Sequence, residues 1–247
     1  MAPSSLRKQS AIGIAFEHAL TGDPAYKQAI FEAYKHAMPE HVRASGARDY
    51  DELVDHAYRQ LGHETSQQFD ALPLRMSFHK NGEGDYENSP HMLADLHGNR
   101  HLFVFQGGEK HQHLGETDPR TGLTGNEKFR AVHDAFGHGV EGTTFGPKGE
   151  EKAWGVHAQM YSPLARAAAT SETRGQNSFV NYTPLNAKLK GKVAEIERHI
   201  GETQRDWRNP NPEEDIRKLQ AQKASLMRQW QYAPQRSLLL PPEFMRH

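Results

Sequence analysis

In "FRAVHDAFGHGVEG", residues 129–142, two histidines stand five positions apart, with Asp134 beside the first and Gly137 just before the second. Imidazole nitrogens are metal donors, and two of them with a carboxylate make a chemically sensible set. Five steps on an ideal helix of 3.6 residues per turn leave two side chains on different faces. His133 and His138 therefore converge only if the helix bends or ends between them, and Gly137, Gly139 and Gly142 offer places for that.

The third ligand has to come from elsewhere in the chain. Glu172, in "ATSETRGQN", is the leading choice, with Glu150, Glu151 and His157 on the intervening segment as rivals. Two histidines and one carboxylate leave coordination positions open, the arrangement of non-haem Fe(II) oxygenases. Asp134 faces another way along a helix than His133, so a supporting or substrate-side role suits it. Arg174, Gln176 and Asn177 crowd donors and amides beside Glu172. They read either as a substrate-facing loop or as hydrogen bonding at a helix end. His111 and His113, in "KHQH", read as solvated loop residues, and Trp154, Met160 and Tyr161 as core or pocket lining.

The elements that must position these residues are mainly helical. Apolar spacing predicts helices over 10–38 and 50–72, punctuated by Pro39, Gly46 and Pro73. "LRMSFH" (74–79) alternates as a half-buried strand does, "NGEGDYENSP" (81–90) reads as a loop, and "HMLADLHG" as a short helix ending at Gly98. "HLFVFQ" (101–106) is a second strand, giving a small antiparallel pair. "NEKFRAVHDAFGHG" is a helix with Phe129, Val132 and Phe136 on one side and Asn126 as its cap. "EEKAWGVHAQMY" and "PLARAAATSETRG" are two more. "LKGKVAEIERHI" and "EEDIRKLQAQKASLMRQW", separated by "NPNP", form a charged helical hairpin suited to packing or self-association, and "SLLLPPEFM" is an apolar docking segment. The expected fold is thus α+β and mostly α, with an α-rich metal-binding domain over 1–185 and the hairpin and docking tail over 186–247.

Composition narrows the function. Charged residues are 25% of the chain and the formal net charge is −1, which implies neither a nucleic-acid nor a membrane partner. "MAPSSLRKQSAIGIAFEHAL" reads as a helix start and not a secretory signal, since Glu17 and His18 interrupt its apolar patch. Cysteine is absent, so any metal must be held by nitrogen and oxygen, and a reducing, cytoplasmic setting fits.

"VHDAFGHG" with Glu172 downstream resembles the iron site of the pterin-dependent aromatic amino acid hydroxylases, which carry a His-Glu-Leu-Leu-Gly-His stretch and a later glutamate. The resemblance covers about residues 126–182 and sets His133 and His138 on the two histidines, Gly137 on the glycine before the second, and Glu172 on the carboxylate. It implies a helical catalytic domain holding Fe(II), and it extends less far toward the pterin and least toward the amino acid substrate. Asp134 departs from that family's glutamate, Gly139 stands where Val-Pro begins there, and the interval to Glu172 is shorter. As a polar, cysteine-free chain with "FGPKGEEKAW", "QMYSP" and "ETRGQNS", it also looks like a bacteriophage-encoded protein. The expected activity is that of a mononuclear non-haem iron oxygenase acting on a small molecule. One rival is a structural or assembly protein, self-assembling through its C-terminal helices, for instance within a phage particle. The other is an HD-type divalent-metal phosphohydrolase using His133 and Asp134, with His111 or His113 upstream and only Asp206 and Asp215 as distant aspartates.

Overall fold

Short polar side chains decide where the first helices start. The computed structural model describes residues 4–80, 86 and 88–246; residues 81–85 and 87 of the expected loop lie outside them. The expected helix over 10–38 is two helices, α1 (Ser4–Leu20) and α2 (Pro24–Ala37). Asp23 makes the break by accepting the Ala25 N–H at 2.9 Å, with Pro24 opening the new helix. α3 (Pro39–Ser45) follows, and α4 (Tyr50–Asp70) is capped by Asp49, which accepts the Glu52 N–H at 2.9 Å.

Two strands flank one helix next: β1 (Arg75–His79), α5 (Ser89–Asn99) and β2 (His101–Phe105). They pair in parallel, Arg75 opposite His101 through His79 opposite Phe105, correcting the antiparallel expectation. The reason is the connection: the 11-residue α5 carries the chain back to the starting edge, so both strands run the same way.

The remainder is helical: α6 (Gly125–Val132), a π-helical turn (His133–His138), α7 (Gly139–Glu141), α8 (Pro147–His157), α9 (Pro163–Thr170), a second π-helical turn (Ser171–Gly175) and α10 (Gln176–Tyr182). Thr124, not Asn126, caps α6, in a reciprocal capping box with Glu127. "ETRGQNSFVNY" is helix and not loop, because the chain stays helical from α9 through Gly175 into α10. α11 (Pro184–Arg205) and α12 (Pro212–Met227) form the expected hairpin, tied by Lys223 to Glu197 at 2.6 Å. α12 buries none of its residues. Among the described residues no helix is long and apolar enough to cross a membrane.

α4 is the central helix, packed on α6 and α9, and α1 packs on α10. Leu53, Ala57, Tyr58 and Leu61 of α4 are fully buried. Beyond α12 the chain becomes an extended strap whose Leu238, Leu239 and Leu240 sink into this core. Four tyrosines bind the strap's backbone. Tyr34 donates to Leu240 O at 2.9 Å and Tyr26 to Leu239 O at 3.4 Å. Tyr50 accepts the Leu239 N–H at 2.8 Å, and Tyr58 accepts that of Leu238 at 3.3 Å.

Tyr50→Phe removes that acceptor and leaves a buried N–H unpaired, a loss of about 1–3 kcal/mol. Urea denaturation is expected to show this, with a smaller loss for Tyr26→Phe, whose bonds to Ala15 O and Leu239 O are 3.5 and 3.4 Å long.

Candidate metal centre

The five-residue histidine spacing is resolved by the backbone. His133–His138 is a π-helical turn, and the i→i+5 pattern continues in Gly139 N–H to Asp134 O and Thr143 N–H to His138 O at 3.1 Å. Such a turn stacks residues five apart, so His133 and His138 share a face. Their rings stand 5.1 Å apart at 87°. Gly137 lets the next helix approach, since a Cβ there would meet Ala153 O at 3.2 Å and His133 Nδ1 at 3.1 Å. Gly142, left-handed at φ 62°, ends the helix.

The approaching helix is α8, and it delivers Glu150 three residues before Ala153. Glu150 Oε2 lies 3.4 Å from His133 Nε2, and Oε1 lies 3.4 Å from His138 Nε2. One ligand atom from each of the three lies within 4.8 Å of the other two. Burial alone would push the Glu150 carboxyl up, but the two imidazoles outweigh it and hold it at about 2. For His138 burial opposes charging, yet Glu150 wins and its pKa is raised.

The outer hydrogen bonds aim the imidazole lone pairs. Gln68 Nε2 donates to Met160 O, so its Oε1 faces His157 Nε2 at 3.0 Å and requires a proton there. His157 is buried and its pKa lies well below the usual histidine value, first from burial and then from His133. Neutral His157 thus presents an Nδ1 lone pair to His133 Nδ1 at 3.4 Å. His133 Nδ1 therefore carries a proton, and the Nε2 that faces Glu150 is the nitrogen that would take a metal ion in place of a proton. Thr143 Oγ1, 2.9 Å from His138 Nδ1, anchors the second ring, with its Nε2 toward Glu150.

The other expected site residues divide between this pocket and distant tasks. Glu172 faces the pocket but lies outside the ligand cluster, because its oxygens are already bound: Tyr58 at 2.6 Å and His111 at 3.1 Å donate to Oε1, and Gln176 at 2.7 Å to Oε2. Asp134 and Gln176 also line the pocket. Loss of hydration raises the Asp134 pKa, with His133 and His138 pulling it back. Arg174 does not face the pocket: fully buried, it pairs with Glu151, donates to Phe244 O at 2.6 Å and Arg246 O at 2.9 Å, and lies 4.0 Å over the Trp154 ring. Glu151 is thereby occupied, and His157 supports a ligand rather than being one. His111 and His113 are not solvated: His111 is buried on Glu172, and His113 meets Asp55 at 2.7 Å. The phosphohydrolase arrangement is therefore not assembled around His133 and Asp134.

The pocket measures about 590 Å³. His133, Glu150 and Asp134 line one part of it, and the amides of Gln176, Asn177 and Gln235 another. No protein-family model matches the chain, and neither a curated protein nor a solved structure matches it.

Glu150 is expected to shape acid denaturation of the metal-free protein. Its folded pKa, about 2, lies below the ordinary 4.5, so its stabilisation is complete above about pH 4.5 and fades as pH falls toward 2. Glu150→Gln should flatten that part of a stability–pH curve; an unchanged curve would contradict the shared carboxylate.

Proposed function

We propose that the protein is a mononuclear non-haem Fe(II) oxygenase, with His133, His138 and Glu150 as its metal ligands. The observation that carries the reading is the convergence of these two imidazoles and one carboxylate beside an open pocket. The donor set fits the ion, since nitrogen and carboxylate ligands with room left over suit ferrous iron. When bound, iron supplies activation of dioxygen for hydroxylation.

The chain's own contribution is orientation and exclusion. Gln68 and His157 orient His133 with its Nε2 toward the site, and Thr143 anchors His138 through Nδ1. Phe145, with its ring 5.2 Å from that of His138, shields that side from water. Asp134 carries or releases a proton beside the ligands, as its raised pKa permits. Glu172, hydrogen-bonded to Tyr58, His111 and Gln176, fixes the Gln176 side of the pocket in place. The amides of Gln176, Asn177 and Gln235 select a small substrate with several hydrogen-bonding groups. Arg174 acts as a structural clamp and takes no part in binding substrate.

His₂Glu is also a catalytic zinc set, and the raised Asp134 carboxyl beside it favours hydrolysis as the second reading. Metal analysis separates the two. After anaerobic loading, wild type and Glu172→Ala should each hold about one iron per chain, while His133→Ala and Glu150→Ala hold almost none. Iron lost in Glu172→Ala but kept in Glu150→Ala would move the ligand to Glu172. Zinc retained in preference to iron would favour hydrolysis, and wild type without metal would favour the assembly role.

A further inference from the structure

A second polar line lies outside the metal pocket and has a different chemistry. Ser237 Oγ, on the strap, is 2.6 Å from His113 Nδ1. His113 Nε2 is 2.7 Å from Asp55 Oδ1 on α4. A carboxylate only accepts, so a proton sits on His113 Nε2, and in the neutral imidazole Nδ1 is a lone pair. In that form the Ser237 O–H donates to His113 Nδ1. The Tyr58 ring packs 5.4 Å from His113 and fixes its plane. Asp55 is steadied by Arg59 at 3.6 Å.

All three residues line one cavity of about 300 Å³, together with Arg236 and Lys27. Lys27 is engaged by Asp51 at 2.7 Å. The Arg236 guanidinium has no hydrogen-bond partner among the described residues and is exposed beside Ser237.

We propose that Ser237, His113 and Asp55 form a second catalytic site, a serine esterase for small carboxylic esters, with Ser237 as nucleophile and His113 as general base. Asp55 is a positioning residue that keeps the imidazole in the accepting tautomer. Ser237 Oγ bonds to the ester carbonyl carbon while its proton passes to His113 Nδ1. The carbonyl oxygen becomes negative facing Arg236. The carbon–oxygen bond to the alcohol then breaks, and the alcohol leaves with the proton from His113. Water, deprotonated by His113, attacks the acyl-serine in the same manner, releasing the carboxylic acid and restoring Ser237. One ester and one water yield one acid and one alcohol, with no other reactant.

The experiment is labelling of the folded full chain with diisopropyl fluorophosphate, which forms a Ser237 Oγ–phosphorus bond as fluoride leaves. Intact mass and peptide mapping should find one adduct, at Ser237. Ser237→Ala should gain none, and His113→Gln should label at least about a hundredfold more slowly. Asp55→Asn should slow labelling too, with circular dichroism unchanged. Urea-unfolded wild type should not react, which keeps the test valid should a variant fail to fold. No adduct on folded wild type, an adduct only on another serine, or equal rates in wild type and folded His113→Gln would overturn the proposal and leave the line as a tether for the strap.

Discussion

A helix that widens one turn loses part of its regular packing, and such a turn persists only where its surroundings hold it. At His133–His138 the surroundings are α8, admitted closely because residue 137 has no side chain, and Thr143, whose backbone and hydroxyl both bind His138. Everything in the proposed metal centre depends on that widening. It sets two imidazoles five residues apart on one face, and the close approach of α8 brings Glu150 between them. A regular α-helix through the same residues would point the rings apart.

The chain surrounds its acidic groups with donors of defined orientation. Glu172 receives three, and Glu150 faces two imidazoles. Buried Lys128 is matched to Asp118 and lies 5.7 Å over the Phe69 ring. Arg174 satisfies its guanidinium with Glu151 and two strap carbonyls. Each is a charge taken partly out of water, and each is tolerable because its partners are supplied in place. The strap is common to several of these arrangements, since it offers Gln235 to the pocket beside Glu150, Ser237 to His113 and its carbonyls to Arg174.

Local features were the most legible in the sequence. The helix from Tyr50, both strands, and the hairpin of α11 and α12 follow from short-range rules that act within a few residues, whereas the break that Asp23 and Pro24 make inside 10–38 was not read. That His133 and His138 could converge only through a bend or an end between them was also legible, because five regular helical steps leave them on different faces. The choice between Glu150 and Glu172 was not, since it depends on how closely α8 packs against Gly137. Arg174 misled for a similar reason: its partners Glu151, Phe244 and Arg246 are 23 to 72 residues away. The strand direction turns on α5, which carries the chain back to the starting edge before β2 begins. His157 and Gln68 act through a chain of tautomers that only three-dimensional contact reveals.

The depth of the strap also bears on the order in which the protein is completed during synthesis. Tyr26, Tyr34, Tyr50 and Tyr58 emerge from the ribosome long before Leu238–Leu240, with as many as 213 residues separating a hydroxyl from its partner. Every helix of the proposed metal centre is synthesised by residue 182, while the strap that packs into the core is still untranslated. Contacts of such sequence separation form late and slowly. The nascent chain therefore exposes an open tyrosine-lined furrow until that segment arrives, a natural target for chaperones that recognise aromatic surface.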